Sequence, residues 1–321
     1  MILTVIVRLA LKRFRIRLIN KKHAKSHNLP INQTGLQNAR LVIGVVGSAN
    51  RKEVHLTKVW KTGKITDKDR ILTYLETDRL YAAYAIGDLE PQLFAQSKWI
   101  GAEKAGRLQA LILNFSGLKQ PALFLIGDVN GLRIILENTQ CPEHAYITCR
   151  TEHLAMTHDF YRWNQTIPMW RMALDPAKFE AIKGNCVRLT SAHSSQLTEL
   201  YSLGGGIGFS TTQVQDGVFF GIFVERKLIA VAGTHLISVN YGMAAVGNVF
   251  THPDFRGQGY GTAASNAVVS ELLKIGIPDI ILNVGQDNSS AIRIYERLGF
   301  RNYCPFFEGP ARVWGINDQH Q

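Results

Sequence analysis

Apolar residues recur at helical spacing through residues 71–90 (ILTYLETDRLYAAYAIGDLE) and stop at Pro91, which predicts a helix running into a loop. Runs at Lys98–Ala102, Leu108–Phe115 and Ala122–Gly127 read as strands, with turn-like segments at Gly101–Gly106 and Ser116–Pro121 between them. A helix over Asn130–Glu137, a strand over Ala145–Cys149, a short helix over Glu152–Tyr161 and a strand over Ile167–Ala173 are expected next, and Asp175-Pro176 closes the unit. A second unit opens near Asn185 with a strand over Cys186–Thr190, a helix over Ser194–Leu203 and the glycine-rich loop Gly204–Gly208. Val218–Glu225 and Leu228–Ile237 read as a hairpin turning at Arg226-Lys227, followed by a strand over Gly242–Thr251. The loop His252–Gly259, a helix to about Lys274, a strand over Ile280–Val284, a helix over Ser289–Leu298 and a strand over Tyr303–Phe307 complete the pattern. The two outlines resemble each other, as an ancient duplication would leave them. The expectation is an α/β (α+β layered) fold, a mixed central sheet flanked by helices, in two similar units in tandem.

Composition changes this picture only at the front. The chain of 321 residues is 46% hydrophobic, enough for packed cores and too much for a disordered protein. Residues 1–70 hold sixteen Lys and Arg against three acids, a net +13, while the remainder carries −2. A nucleic-acid-binding face on the folded body is therefore not expected. Residues 1–70 are expected to be a basic, poorly ordered or targeting-like extension, with units at 71–176 and 185–321. The apolar start and the bases up to Lys25 also suit peripheral contact of residues 1–27 with an anionic membrane surface. The next methionine, Met156, lies well inside the body, so a downstream start would need another codon. No apolar run is long enough to span a bilayer. Four scattered cysteines form no disulfide framework, which points to a reducing compartment and a cytoplasmic location.

Candidate chemistry concentrates at Asn248–Ala263. A strand ends, Pro253 breaks it, and Gly257, Gly259 and Gly261 lead directly into a helix. Alternate glycines bare the backbone N–H groups, and the helix start adds unsatisfied donors and a positive dipole end. This is a phosphate or pyrophosphate cradle; a plain tight turn is the bland alternative. A nucleotide P-loop needs Gly-Lys-Ser/Thr, and no lysine is present. A dinucleotide fingerprint, Gly259-x-Gly261-x-x-Ala264, lacks an acid at the end of the next strand, since Asp279 precedes it and Asp287 follows it.

The run Arg256-Gly257-Gln258-Gly259-Tyr260-Gly261 resembles the Arg/Gln-x-x-Gly-x-Gly/Ala pattern of the GCN5-related N-acetyltransferase (GNAT) family. Asn288, Ala291, Tyr295 and Gly299-Phe300 resemble that family's downstream segment, and the likeness covers roughly residues 185–310. It implies an acyl-CoA N-acyltransferase fold, with a degenerate first unit that lacks its own glycine loop. It also implies acetyl-CoA as co-substrate, no metal, and a primary amine on a small molecule or peptide as acceptor. On this reading Arg256, Gly257, Gln258, Gly259, Tyr260, Gly261 and Thr262 hold the pyrophosphate. Val249, Phe250 and Thr251 pair with the pantetheine and offer a donor to the thioester oxygen. Ala291 lets the carrier lie close, Asn288 bonds an amide, and Tyr295 gives a proton to the departing thiolate; a core tyrosine is the alternative.

An amine acceptor must lose a proton before attack, and His235, Glu225 and His252 are the local candidates. His235 is taken as the catalytic candidate, against the alternative of a satisfied core histidine. Cys141, His144, Cys149 and His153 have zinc-like spacing, but a strand through Cys149 scatters them. Phe160, Trp163 and Trp170 read as packing, and Gly204–Gly208 as either a flap or a connection. Direct acetyl transfer is weighed against a non-catalytic acyl-CoA sensor or scaffold, and against a nicotinamide oxidoreductase.

Overall fold

The computed structural model describes residues 60–182, 184–205 and 209–314. In the first half, strand β1 (Trp60–Ile65) leads to helices α1 (Lys68–Leu75), α2 (Ala83–Gly87) and α3 (Pro91–Phe94). Strands β2 (Ser97–Lys104), β3 (Arg107–Phe115) and β4 (Ala122–Gly127) follow, then α4 (Val129–Asn138), β5 (His144–Arg150), α5 (Thr151–His158), β6 (Tyr161–Trp163) and β7 (Ile167–Leu174). The second half runs β8 (Val187–Arg188), α6 (Ser194–Ser202), α7 (Thr211–Asp216), β9 (Phe220–Val224), β10 (Lys227–Ser238) and β11 (Met243–Thr251). It ends with α8 (Tyr260–Lys274), β12 (Asp279–Gly285), α9 (Ser289–Arg297) and β13 (Phe300–Val313).

Three expectations are corrected. The expected boundary at residue 71 falls inside α1: β1 pairs antiparallel with β2, and Asp67 caps α1 through the Asp69 and Arg70 N–H groups. Strand β1 is a sheet edge with four consecutive exposed residues, so it carries no alternation to read. Residues 1–59, with the expected membrane contact, lie outside the described residues. The expected helix over 71–90 is broken into α1, a 3₁₀ turn at Glu76–Asp78, and α2. Buried positions jump from Leu75 to Tyr81, and no single straight helix keeps both on one stripe. Finally, the last strand is fourteen residues long, with a bulge between Asn302 and Cys304.

That length matters because β13 joins the halves. The strands lie in one mixed sheet ordered β1-β2-β3-β4-β5-β13-β7-β12-β11-β10-β9-β8, with β6 also pairing with β13. Strand β7, from the first half, pairs with β12; β13, from the second, pairs with β5. The two halves therefore share one sheet, with β7 and β13 each pairing into the other half. Helices α4 and α5 cover one face of the first half, and α8 and α9 the same face of the second. Residues of α1 and α2 share a core on the other face with Ala245, Ile281 and Phe306, across the junction. Phe160 and Trp163 pack into the α4–α5 core and Trp170 into the α8–α9 core, as expected of packing residues.

Candidate active site

The site begins where two parallel strands part. Strand β11 pairs with β12 from Met243↔Asp279 only as far as Val246↔Leu282. Beyond that point Phe250 and Thr251 stay paired with β10, while Asn283–Gly285 stay paired with β7. A V-shaped gap opens between Gly247–Thr251 and Asn283–Gly285. Its cause is local. Strand β10 bulges twice, and Asn248 adopts a left-handed backbone with φ of 53°. Asparagine tolerates that conformation better than most residues. Asn248 donates its N–H to His235 Nε2 (3.2 Å) and accepts the Tyr201 hydroxyl on its carbonyl (2.7 Å). The His252 N–H bonds the Ile229 carbonyl at 2.8 Å, so strand alternation aims the Val249 and Thr251 N–H groups into the gap.

Strand β11 leads into the glycine loop. Pro253–Phe255 make one 3₁₀ turn, and Gly257 and Gly259 follow with φ of 78° and 82°. A Cβ at either position would touch nothing within 4 Å, so the left-handed backbone, not crowding, selects glycine there. Gly259 caps α8 without a side chain, and its carbonyl accepts the Ala263 N–H at 3.0 Å. The Tyr260, Gly261 and Thr262 N–H groups find no acceptor among the described residues. With the dipole of a fifteen-residue helix behind them, they form an anion cradle. Arg256 is placed differently from expectation. Its N–H bonds the Pro253 carbonyl at 3.3 Å, and its side chain reaches the Thr251 carbonyl and lies over the Phe250 ring. The cradle of free amides therefore starts at Gly257.

Helix α9 supplies the opposite wall. Asn288 is its N-cap: Oδ1 accepts the Ala291 N–H at 3.1 Å and the Ser290 hydroxyl at 3.0 Å. Oδ1 thus serves the helix cap, and the Asn288 backbone is not helical. Ala291 and Tyr295 both border the core shared with α8. The Tyr295 ring meets Phe300 edge-on, and its hydroxyl has no partner among the described residues. Burial pushes that hydroxyl up to about 12, so it remains protonated at neutral pH.

His235, the expected base, packs against Gly247 and Asn248. Its Nε2 lone pair is taken by the Asn248 N–H, and Tyr84 Oη lies 3.4 Å from Nδ1. Burial lowers its pKa to about 4, and its ring lies where a Cβ on Gly247 would be. Glu225 sits exposed at the hairpin tip, in the left-handed region with Arg226. His252 lies 3.2 Å from Lys227 Nζ and lines a separate pocket of about 320 Å³ with Glu199 and Glu225. His153 Nε2 pairs with the Gly127 carbonyl, and no cluster of three metal-ligating side chains occurs among the described residues. Gly205 fits against the Phe250 ring; Gly206–Gly208, the rest of the expected flap, lie outside the described residues. One charge escaped the sequence reading: Arg171 of β7, in register with Asn283, is buried with its guanidinium between the Tyr84 and Phe306 rings. A lone arginine inside the apolar run 167–174 was the available signal.

A gap between parallel strands that opens onto a glycine cradle and a tyrosine-bearing helix defines an acyl-CoA N-acyltransferase fold. Comparison with known proteins agrees. The model of the acetyltransferase (GNAT) family matches residues 191–300. The ribosomal protein bS18 alanine N-acetyltransferase of Escherichia coli is 32% identical over 107 residues, covering 32% of this chain and 70% of that protein. An uncharacterized N-acetyltransferase of Methanocaldococcus jannaschii is 43% identical over 58 residues, covering 18% and 26%. The chain belongs to the GNAT acetyltransferase family. Among solved structures, a Drosophila protein superimposes with a TM-score of 0.58 at 13% identity, covering 80% of this chain and 99% of that one. A tandem GNAT protein from the clavulanic acid biosynthesis pathway gives 0.50 at 13%, covering 79% and 98%. At that identity these likenesses show the fold alone, and they span both halves of the sheet.

Proposed function

We propose that this chain moves an acetyl group from acetyl-CoA to a primary amine by direct attack in a ternary complex. The observation that carries the reading is the gap beside β11, whose outward Val249 and Thr251 N–H groups are followed, after the bonded turn 252–256, by the amides of Gly257–Thr262. The cradle holds the diphosphate, and the open edge of β11 pairs with the pantetheine arm. A Val249 or Thr251 N–H stabilises negative charge developing on the thioester oxygen; one such donor lowers a barrier by about 3 kcal/mol. The amine nitrogen bonds the acetyl carbon, the carbon–sulfur bond breaks, and the Tyr295 hydroxyl protonates the departing sulfur. The amine's own proton leaves to water, since His235 has no free lone pair. Four unpaired cysteines suit the reducing compartment where acetyl-CoA is made and used. The test is release of free thiol from acetyl-CoA across a panel of primary amines. Amine-dependent release supports transfer; binding of acetyl-CoA without release from any amine supports a sensor instead, and tighter binding of NAD than of CoA overturns both.

A further inference from the structure

Helix α6, the tip of the β9–β10 hairpin and the end of β11 together enclose the pocket of about 320 Å³ that His252 lines. Leu228, in its lining, belongs to the core that α6 shares with β10, so the pocket lies on the α6 face over the start of β10. There Thr251 still pairs with Ala230, and the gap opens only at the other edge of β11. The pocket therefore borders the turn that leads into the glycine loop, with the β10–β11 pairing between it and the open edge.

His252 decides what the pocket asks for. Its side chain is only 10% exposed. Nδ1 accepts the Asp254 N–H at 3.3 Å, which places the ring's proton on Nε2. Nε2 lies 3.2 Å from Lys227 Nζ, which carries donors alone. Two donors thus face each other with no acceptor between them among the described residues, an arrangement that is costly at a buried ring. An anionic oxygen set against both removes that cost. The rest of the lining adds the opposite charge and an apolar wall. Glu199 and Glu225 make no ion pair or side-chain hydrogen bond among the described residues, although both line the pocket. Leu203, 46% exposed, stands beside Leu228 in the same lining, and Arg226 adds a further donor.

We infer that this pocket binds a free aliphatic amino acid. Its carboxylate accepts from Lys227 Nζ and His252 Nε2, its ammonium meets Glu199 and Glu225, and its side chain lies on Leu203 and Leu228. A simple anion would satisfy the donors but leave two carboxylates unpaired; a polyamine would do the reverse. The volume is at the lower end for small-molecule sites, which suits one amino acid. Such a ligand touches the turn before Gly257 and is bound without being acetylated. The inference goes beyond the proposed acetyl transfer and does not depend on it.

Calorimetry on the whole chain without acetyl-CoA tests it, with leucine as the probe. Leucinamide, 4-methylpentanoate and glycine lack in turn the carboxylate, the ammonium and the apolar side chain. Leucine is expected to bind, and each of the three at least about tenfold more weakly. Lys227→Met should weaken leucine at least about tenfold without moving the thermal midpoint, while Lys274→Met, on α8, leaves its affinity unchanged. Leucine should also bind with CoA already present at saturation. The inference is overturned by no leucine binding up to about 10 mM, by equal binding of leucinamide or 4-methylpentanoate, or by full affinity in Lys227→Met. Displacement of leucine by CoA, or thiol release with leucine as the amine, would put it in the gap and overturn the inference as well.

Discussion

His235 offers the sharpest test of how the gap is held open. Its Nε2 accepts the Asn248 N–H, a bond that exists only while the ring is neutral. Burial lowers the ring's pKa from the usual 6.5 to about 4, against a smaller raising effect of the Asn248 side chain. The folded ring therefore binds fewer protons than the unfolded ring between those limits. Stability from this residue is full above pH 6.5 and is lost as pH falls toward 4. Taken whole, the change amounts to about 3 kcal/mol, and solvent screening of a half-buried ring reduces it to about 2 kcal/mol. Two carboxyls act in the opposite direction. Burial raises Asp88 and Glu308 to about 7, so their contribution is present at low pH and fades as pH rises toward 7. The wild-type curve mixes both trends, and only a comparison isolates His235. His235→Gln keeps an acceptor for the Asn248 N–H and removes the titration. In urea unfolding followed by circular dichroism, the stability of wild type minus variant should shrink by about 2 kcal/mol between pH 7 and pH 4. A difference that stays constant across that range refutes the reasoning.

Tyr295→Phe should leave acetyl-CoA affinity unchanged and lower kcat by about a hundredfold or more, as loss of a positioned acid does; an unchanged kcat removes the acid role. Gly259→Ala should cost about 1–2 kcal/mol in urea unfolding, because an L residue is forced to φ of 82°. Gly63→Ala, equally open to a Cβ but free of that backbone, should change stability by less than about 0.5 kcal/mol; equal effects would contradict the backbone argument. Arg79 ties the first half to the second through Asp279 (2.7 Å) and the Tyr241 carbonyl. Arg79→Met should lower the unfolding free energy by about 1–3 kcal/mol with one cooperative transition; no loss in the urea midpoint would show that the tie is idle.

Much of the site was legible because glycine at a strand-to-helix turn reports backbone conformation directly. Gly257 and Gly259 do have positive φ, and the strand expected over Ala122–Gly127 has those bounds. What escaped depends on contacts far apart in sequence. The exchange of β7 and β13 between halves leaves each segment's own alternation unchanged, so the sequence does not show it. Strand β1 has a polar edge and no apolar rhythm. The gap itself comes from bulges and one left-handed asparagine, which no periodicity records. Asn288 was expected to bind the cofactor and His235 to act in catalysis; no periodicity shows that the first also caps α9 or that the second accepts the Asn248 N–H. Arg171 was visible as a charge in an apolar strand, and only the folded chain shows the two rings that flank it.

Acetyl transfer at this site requires one arrangement, an acyl carrier threaded between β11 and β12 with its diphosphate on the loop. A crystal structure of the acetyl-CoA complex tests it most directly. The expected result puts diphosphate oxygens within hydrogen-bond distance of the Gly259–Thr262 amides and the thioester carbonyl against the open edge of β11. A carrier seated instead in the pocket lined by Glu199 and His252, or one that leaves the gap empty, would contradict it.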